Sequence, residues 1–220
     1  MIFVSEQNRS LARRQYALEL GKSEVIYNPI RIKRESPFPF RDIDNEFVFA
    51  CVARFETIWK GQDLLLEILA TDSWKSRNWK LNFFGDGPDL EHVKKYAKML
   101  GVEGKVEFRG YVRDVQKIWI ESHAMILPSR GEGTPLAILE AMMCGRPVVT
   151  TDVGGNREVL EEGVTGWIAA VATKRSFAQA MERAWSDRFR WREMGAAAHV
   201  RAKQIADNNS PYRLLEVLLK

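Results

Sequence analysis

The feature that most constrains the fold of this chain is a regular alternation of short apolar runs with longer helix-patterned stretches. "FVFACVA" (47–53), "KLNFF" (80–84), "KVEFR" (105–109), "AMILP" (124–128), "PVVTT" (147–151) and "GWIAA" (166–170) read as strands. Residues 60–70, about 88–100, 113–122 and 135–144 read as the helices between them. Apolar strands without polar alternation imply a sheet covered on both faces. Strand–helix alternation implies an α/β fold with a parallel, doubly wound sheet. Ligands of such sheets bind outside the carboxyl ends of the strands. The turns after residues 53, 84, 109, 128 and 151 are therefore where a site is expected.

The ends follow other patterns. Residues 1–29 read as a short strand, a helix and another strand. "NPIRIKRESPFPFRDIDNE" is rich in proline and charge and reads as a loop. Helices are expected at 174–187, 189–207 and 211–219, with Trp185 and Trp191 anchoring them to the sheet. The 220 residues are ample for one α/β domain and short for two, and 45% hydrophobic residues mark a globular chain. No apolar run approaches the ~18–20 residues of a membrane span, and "MIFVSEQNRS" lacks the basic start of a signal peptide. Cys51 and Cys144 sit in apolar segments and read as buried thiols of a reducing, cytoplasmic compartment. A formal charge of +4, with basic residues scattered among acids, suits an acidic small molecule or an anionic membrane surface and does not indicate nucleic acid.

The most informative turn is "SRGEGTPL". Thr134 is expected at the N-cap and Pro135 at the first helical position, where its missing N–H is not needed. Gly131 and Gly133 allow close approach of the backbone, and the amides and dipole of a helix start favour an anion such as a diphosphate. Glu132 would repel that anion unless it faces a neutral polyol. Glu140 lies roughly 8 Å further along the helix at ~1.5 Å per residue, within reach of a second set of hydroxyls. A capped helix with solvated glutamates is the plain alternative. A glycosidase pair, whose carboxylates stand within ~5–10 Å, is allowed by the turn but not selected by it.

Elsewhere, "ARFETIWKG" puts Arg54 after a strand and Lys60 before a helix, two cations suited to a diphosphate or simply surface charges. "FFGDGPDL" places Gly85 and Gly87 in what reads as a tight turn, without a dinucleotide fingerprint. "RGYVRD" offers the backbone of Tyr111 and Val112 to a base, and Gly154 and Gly155 precede a short helix. "DID" (42–44) reads as solvated charge, and His92, His123 and His199 read as structural or surface residues without metal-ligand spacing.

Together "ARFETIWKG", "LNFFGDGP", "VEFRGYV" and "ILPSRGEGTPLAILEAMMCGRPVVTTDVGGNREVLEEGVTGWI", in this order, resemble the retaining glycosyltransferases of the GT-B fold that carry the E-x(7)-E motif, the family-four type. The resemblance runs from about residue 45 to 170. It implies the Rossmann-like C-terminal, donor-binding domain of a GT-B architecture. It also implies transfer of a sugar from a nucleoside-diphosphate sugar to an acceptor hydroxyl, in polysaccharide or glycolipid biosynthesis. By resemblance, Arg54 and Lys60 bind the diphosphate and Glu140 takes the ribose hydroxyls. Glu132 faces the donor sugar, supported by Gly133, Thr134, Pro135 and Leu136, while Gly85, Tyr111 and Val112 border the nucleotide. No metal or other cofactor is expected. Ala53 stands where the family usually has glycine, which an ordinary backbone tolerates.

The same resemblance divides the chain. Residues 1–22 are expected to be a remnant of an acceptor-binding domain, 23–205 the donor domain and 206–220 a helix crossing back to the acceptor half. The chain alone is then expected to be inactive, its partners being the donor and that missing half, with the complete enzyme at the inner face of a membrane. A sugar-nucleotide epimerase or glycogen-synthase-like enzyme is the alternative within the fold. A non-enzymatic module binding a partner through Leu214, Leu215, Val217, Leu218 and Leu219 is the alternative outside it.

Overall fold

A computed structural model describes residues 1–207 apart from Leu18, Lys22, Arg31, Asp44 and Asn45. The helix expected at 211–219, its leucine patch and the last residue of "DID" thus lie outside the described residues. The strands are β1 (Ile2–Phe3), β2 (Glu24–Val25), β3 (Phe47–Val52), β4 (Trp79–Phe84), β5 (Val106–Phe108), β6 (Ala124–Leu127), β7 (Val148–Thr151) and β8 (Gly166–Ala169). The helices are α1 (Glu6–Tyr16), α2 (Thr57–Lys60), α3 (Gln62–Leu69), α4 (Asp72–Lys75), α5 (Leu90–Met99), α6 (Val115–Glu121), α7 (Leu136–Met143), α8 (Asn156–Val159), α9 (Lys174–Ser186) and α10 (Trp191–Asp207).

Six strands form one parallel sheet in the order β5-β4-β3-β6-β7-β8. The chain winds outward from β3 to one edge, returns beside β3 with β6, and winds to the other edge. This is the dinucleotide-fold order, and its switch point, where ligands bind, lies between β3 and β6. Phe47, Phe49 and Cys51 of β3 join the core under α3 and α9, whereas Ala50 joins the opposite core with Met125, Leu127, α7 and α10. Burial on both faces explains why "FVFACVA" shows no polar alternation. Trp191 is fully buried against Phe47 and Phe49, and Trp185 packs edge-on to Phe47, so both tryptophans anchor their helices as expected.

The helix expected at 60–70 is α3 (Gln62–Leu69), and a separate short helix, α2 (Thr57–Lys60), precedes it. Gly61 adopts φ +67°, and a Cβ there would stand 2.3 Å from the Pro128 carbonyl oxygen. The chain turns at the one residue able to pass so close to the end of β6, which brings α2 against the turn after β6.

β1, α1 and β2 make a β-α-β unit whose strands form a separate two-stranded parallel sheet. The Glu158 carboxylate accepts from the amides of Glu6 (3.1 Å) and Gln7 (2.9 Å) at the start of α1, and from the Tyr27 hydroxyl at 2.7 Å. Burial, then the neighbouring Glu158, push the Tyr27 hydroxyl up to about 12. A carboxylate at a helix start satisfies free amides and complements the dipole.

Buried Arg146 donates to the carbonyls of Trp119 (2.6 Å) and Pro39 (3.0 Å), fastening the proline-rich loop to the sheet. Both cysteines are free and buried, and burial raises each thiol to about 12. His123 and His199 are buried structural groups. The Val48 amide donates to His123 Nδ1 at 2.9 Å, and His199 Nδ1 stands 2.6 Å from the Met143 carbonyl.

Candidate functional site

The carboxyl ends of β3 and β6 carry the two richest motifs to one place. α2 follows β3 and is capped from outside: the Thr57 amide and hydroxyl both donate to Asp89 Oδ2, at 2.7 and 2.8 Å. Those bonds hold the Asp89 carboxyl below its ordinary range. The Trp59 carbonyl accepts from the Arg130 amide at 2.7 Å, and Arg130 in turn chelates Asp63 with two 2.9 Å bonds. The short helix is thereby clamped to the turn after β6.

That clamp places Lys60 Nζ 2.7 Å from Glu132 Oε1, and the Ser129 hydroxyl donates to the same oxygen at 2.6 Å. The Glu132 side chain is only 7% exposed and that of Lys60 22%. The sequence reading treats Lys60 as an independent cation and leaves Ser129 unnoticed. Lys60 neutralises Glu132, which removes the repulsion expected between Glu132 and a nearby anion. Arg54 is likewise paired, through Nε to Glu56 at 2.9 Å, but its side chain is 65% exposed and free to exchange partners.

α7 starts one residue later than local capping rules place it. Its N-cap is Pro135, with φ −70° and ψ 117°, and the first helical residue is Leu136. Thr134 is buried, and its hydroxyl donates to the Val4 carbonyl at 2.5 Å instead of capping the helix. Asn28 donates to the Thr134 carbonyl (3.2 Å) and Asn8 to that of Glu132 (3.4 Å). The turn is thus held by the N-terminal β-α-β unit and by Asn28 just after it, a tertiary claim on Thr134 that local capping rules do not contain.

Glycines make room for these contacts. At Gly154, φ +54°, a Cβ would lie 2.2 Å from the Glu132 carbonyl oxygen, and at Gly155 one would lie 2.6 Å from the Thr134 hydroxyl. A Cβ on Gly85 would meet the Ala53 carbonyl oxygen at 2.1 Å, so the "GDG" segment crosses directly over the end of β3. Ala53 itself is outside the positive-φ region, which is why alanine suffices there.

Two clefts flank the switch point. One, about 370 Å³, is lined by Val52, Ala53, Arg54, Phe84, Gly85, Asp86, Tyr111, Val112, Val115 and Ile118. Its lining is mostly apolar with one cation at the edge, and it gathers Arg54, Gly85, Tyr111 and Val112 as the sequence reading places them. The other, about 200 Å³, lies between α1 and the turns after β6 and β7, and Leu11 and Val153 share its wall with Asn8, Arg14, Arg130, Glu132 and Asp152. Gly133, Thr134, Pro135, Leu136 and Glu140 line neither of these two clefts; Glu140 is 8% exposed, on α7. Among the described residues no group of three or more His, Cys, Asp or Glu is arranged to hold a metal, and no helix is long and apolar enough to cross a membrane.

Against known families, the description "Glycosyl transferases group 1" matches residues 46–187, from the start of β3 through α9. The chain belongs to this family. Among group 1 relatives, the lipopolysaccharide 1,6-galactosyltransferase of Salmonella typhimurium is 32% identical over 148 residues, 64% of this chain and 40% of that enzyme. The N-acetyl-alpha-D-glucosaminyl L-malate synthase of Bacillus anthracis is 35% identical over 119 residues, 54% of this chain and 31% of that one. The chain therefore spans well under half the length of these relatives. The solved S. aureus TarM, a complex containing UDP, superposes with a TM-score of 0.82 at 24% identity, over 99% of this chain and 42% of TarM. Anabaena HepE with UDP and glucose gives 0.79 at 24%, over all of this chain and 62% of HepE. These likenesses establish the GT-B-type fold of the group 1 chain, whose relatives act in lipopolysaccharide and polysaccharide biosynthesis.

Proposed function

We propose that the crevice between β3 and β6 binds the nucleoside-diphosphate sugar of a retaining glycosyltransferase. The observation that carries this reading is the meeting, at one switch point, of an apolar cleft edged by Arg54 with the buried Lys60–Glu132 pair. A base enters the apolar cleft beside Tyr111 and Val112. Arg54 and Lys60 exchange their carboxylate partners for the diphosphate, and the amides at the start of α7 take the remaining charge. Glu132, held by the Ser129 hydroxyl, accepts from hydroxyls of the donor sugar, and Glu140 serves the ribose. Preset cations and amides stabilise the leaving diphosphate as its charge grows, a role that needs no metal ion. UDP in the solved complexes of TarM and HepE supports a nucleotide donor.

Residues 1–22 and 206–220 belong, in this reading, to the junction with an acceptor-binding half that supplies the remaining catalytic groups. The complete enzyme acts on the cytoplasmic side of a membrane, in polysaccharide or glycolipid assembly. Titration calorimetry of the chain with UDP, GDP and ADP is the test. One of them should bind at micromolar to millimolar concentration, and silence from all three refutes the reading.

A further inference from the structure

We propose that Trp59 is the stacking platform for a saccharide ring of the acceptor, at the outer edge of the same crevice. The idea rests on the reading of Glu132 as the donor-sugar contact and adds a specificity-determining residue to it.

The chain has seven tryptophans, and Trp74, Trp79, Trp119, Trp167 and Trp191 are at most 2% exposed. Trp59 alone among the described residues is a strongly exposed tryptophan, at 56%, with Ile58 beside it at 70%. Burying so large a ring gains stability, so its exposure needs a reason. Neither is it loose. Its carbonyl is bonded to the Arg130 amide, and its ring lies on Gly131, where a Cβ would come within 3.0 Å of ring carbon Cε3. One edge of the indole is thus fixed against the turn that carries Glu132.

The surroundings name the occupant. Arg130, Gly131 and Glu132 also wall the second cleft, where Gln7 and Asn8 add amides, Asp152 a second carboxylate and Arg14 a second guanidinium. An exposed aromatic surface next to amides, guanidiniums and carboxylates suits a ligand with C–H faces and hydroxyl edges that both donate and accept, which is a pyranose. A nucleobase has its own apolar cleft elsewhere. The donor sugar belongs deeper, at the 7% exposed Glu132 side chain. The solvent edge at Trp59 is left for the sugar that approaches it.

The test is nitrogen-resolved NMR of the indole N–H signals, with Trp59 identified by its loss in Trp59→Phe. The chain is titrated, with and without nucleoside diphosphate, with methyl α-glycosides of glucose, galactose, mannose and N-acetylglucosamine. At least one glycoside should move the Trp59 signal. Trp59→Ala should weaken its binding about tenfold, measured on amides of residues 130–133, while Trp59→Phe retains most of it. Nucleoside-diphosphate affinity should be unchanged in both variants. The proposal is overturned if no glycoside moves the Trp59 signal, if Trp59→Ala binds glycoside normally, or if it loses nucleotide binding in parallel. Absence of nucleotide binding by the unmodified chain would instead strike the donor reading on which the proposal stands, and would overturn both.

Discussion

Lys60 and Glu132 form a 2.7 Å ion pair across two strand ends, with Glu132 almost wholly removed from solvent. A buried pair contributes little net stability, but removing one partner strands the other charge. Lys60→Ala should therefore weaken nucleoside-diphosphate binding by about tenfold or more and also destabilise the fold by roughly 3 kcal/mol. Glu132→Ala frees Lys60, so nucleoside-diphosphate binding should be kept or tightened while the gain from adding the sugar disappears. Calorimetry with the diphosphate and its sugar conjugate separates the two. Parallel losses for both ligands in Glu132→Ala would contradict its role as a sugar contact.

Glu140 is expected to act on the other end of the donor. Its replacement by alanine should weaken binding of the nucleoside diphosphate itself by about tenfold, the effect of removing a charged hydrogen-bond acceptor. The corresponding 2′,3′-dideoxy nucleotide should bind the variant and the parent alike, because it lacks the hydroxyls in question.

Gly154 and Gly163 offer a matched pair. Both have positive φ, +54° and +73°, but a Cβ on Gly154 strikes the Glu132 carbonyl at 2.2 Å whereas nothing lies within 4 Å of one on Gly163. Gly163→Ala should cost only the ~1–2 kcal/mol of left-handed backbone. Gly154→Ala should cost a further ~1–3 kcal/mol of overpacking and displace the turn bearing Glu132. Thermal unfolding and nucleotide titration of the two variants check this; similar results for both would refute the steric account.

His123 gives the fold a pH dependence. Burial holds its imidazole down at about 4, from an ordinary value of 6.5, and its Nδ1 accepts the Val48 amide. Between those values the unfolded chain binds the proton that the folded chain refuses, so stability falls as pH drops from 6.5 toward 4. Arg41 and Arg146, close by, push in the same direction. Urea unfolding across this range should show the decline, and His123→Gln should flatten it. An unchanged slope in the variant would exclude His123 as its source.

Much of the fold was legible because it depends on local pattern. The β3–β8 strands and most of the helices follow from apolar runs too uniform for an exposed face. The strand-end turns that carry Arg54, Lys60, Gly85, Tyr111 and Glu132 follow from the rule that such sheets bind ligands at their carboxyl ends. The break at Gly61 was hidden because its cause, the Pro128 carbonyl, is far away in sequence. Ser129 looked like an ordinary turn residue for the same reason.

By itself, then, the sequence determined a doubly wound sheet, its two buried faces and the short list of turns in which a site can lie. Periodicity and backbone chemistry act over a few residues and can be read there. Only the tertiary structure decided which charges meet. It paired Lys60 with Glu132, diverted Thr134 from its helix to Val4 and left Trp59 uncovered on Gly131. Hydrogen bonds and ion pairs are satisfied by whichever partner folding brings within about 3 Å, and that choice is made across the sheet rather than along the chain.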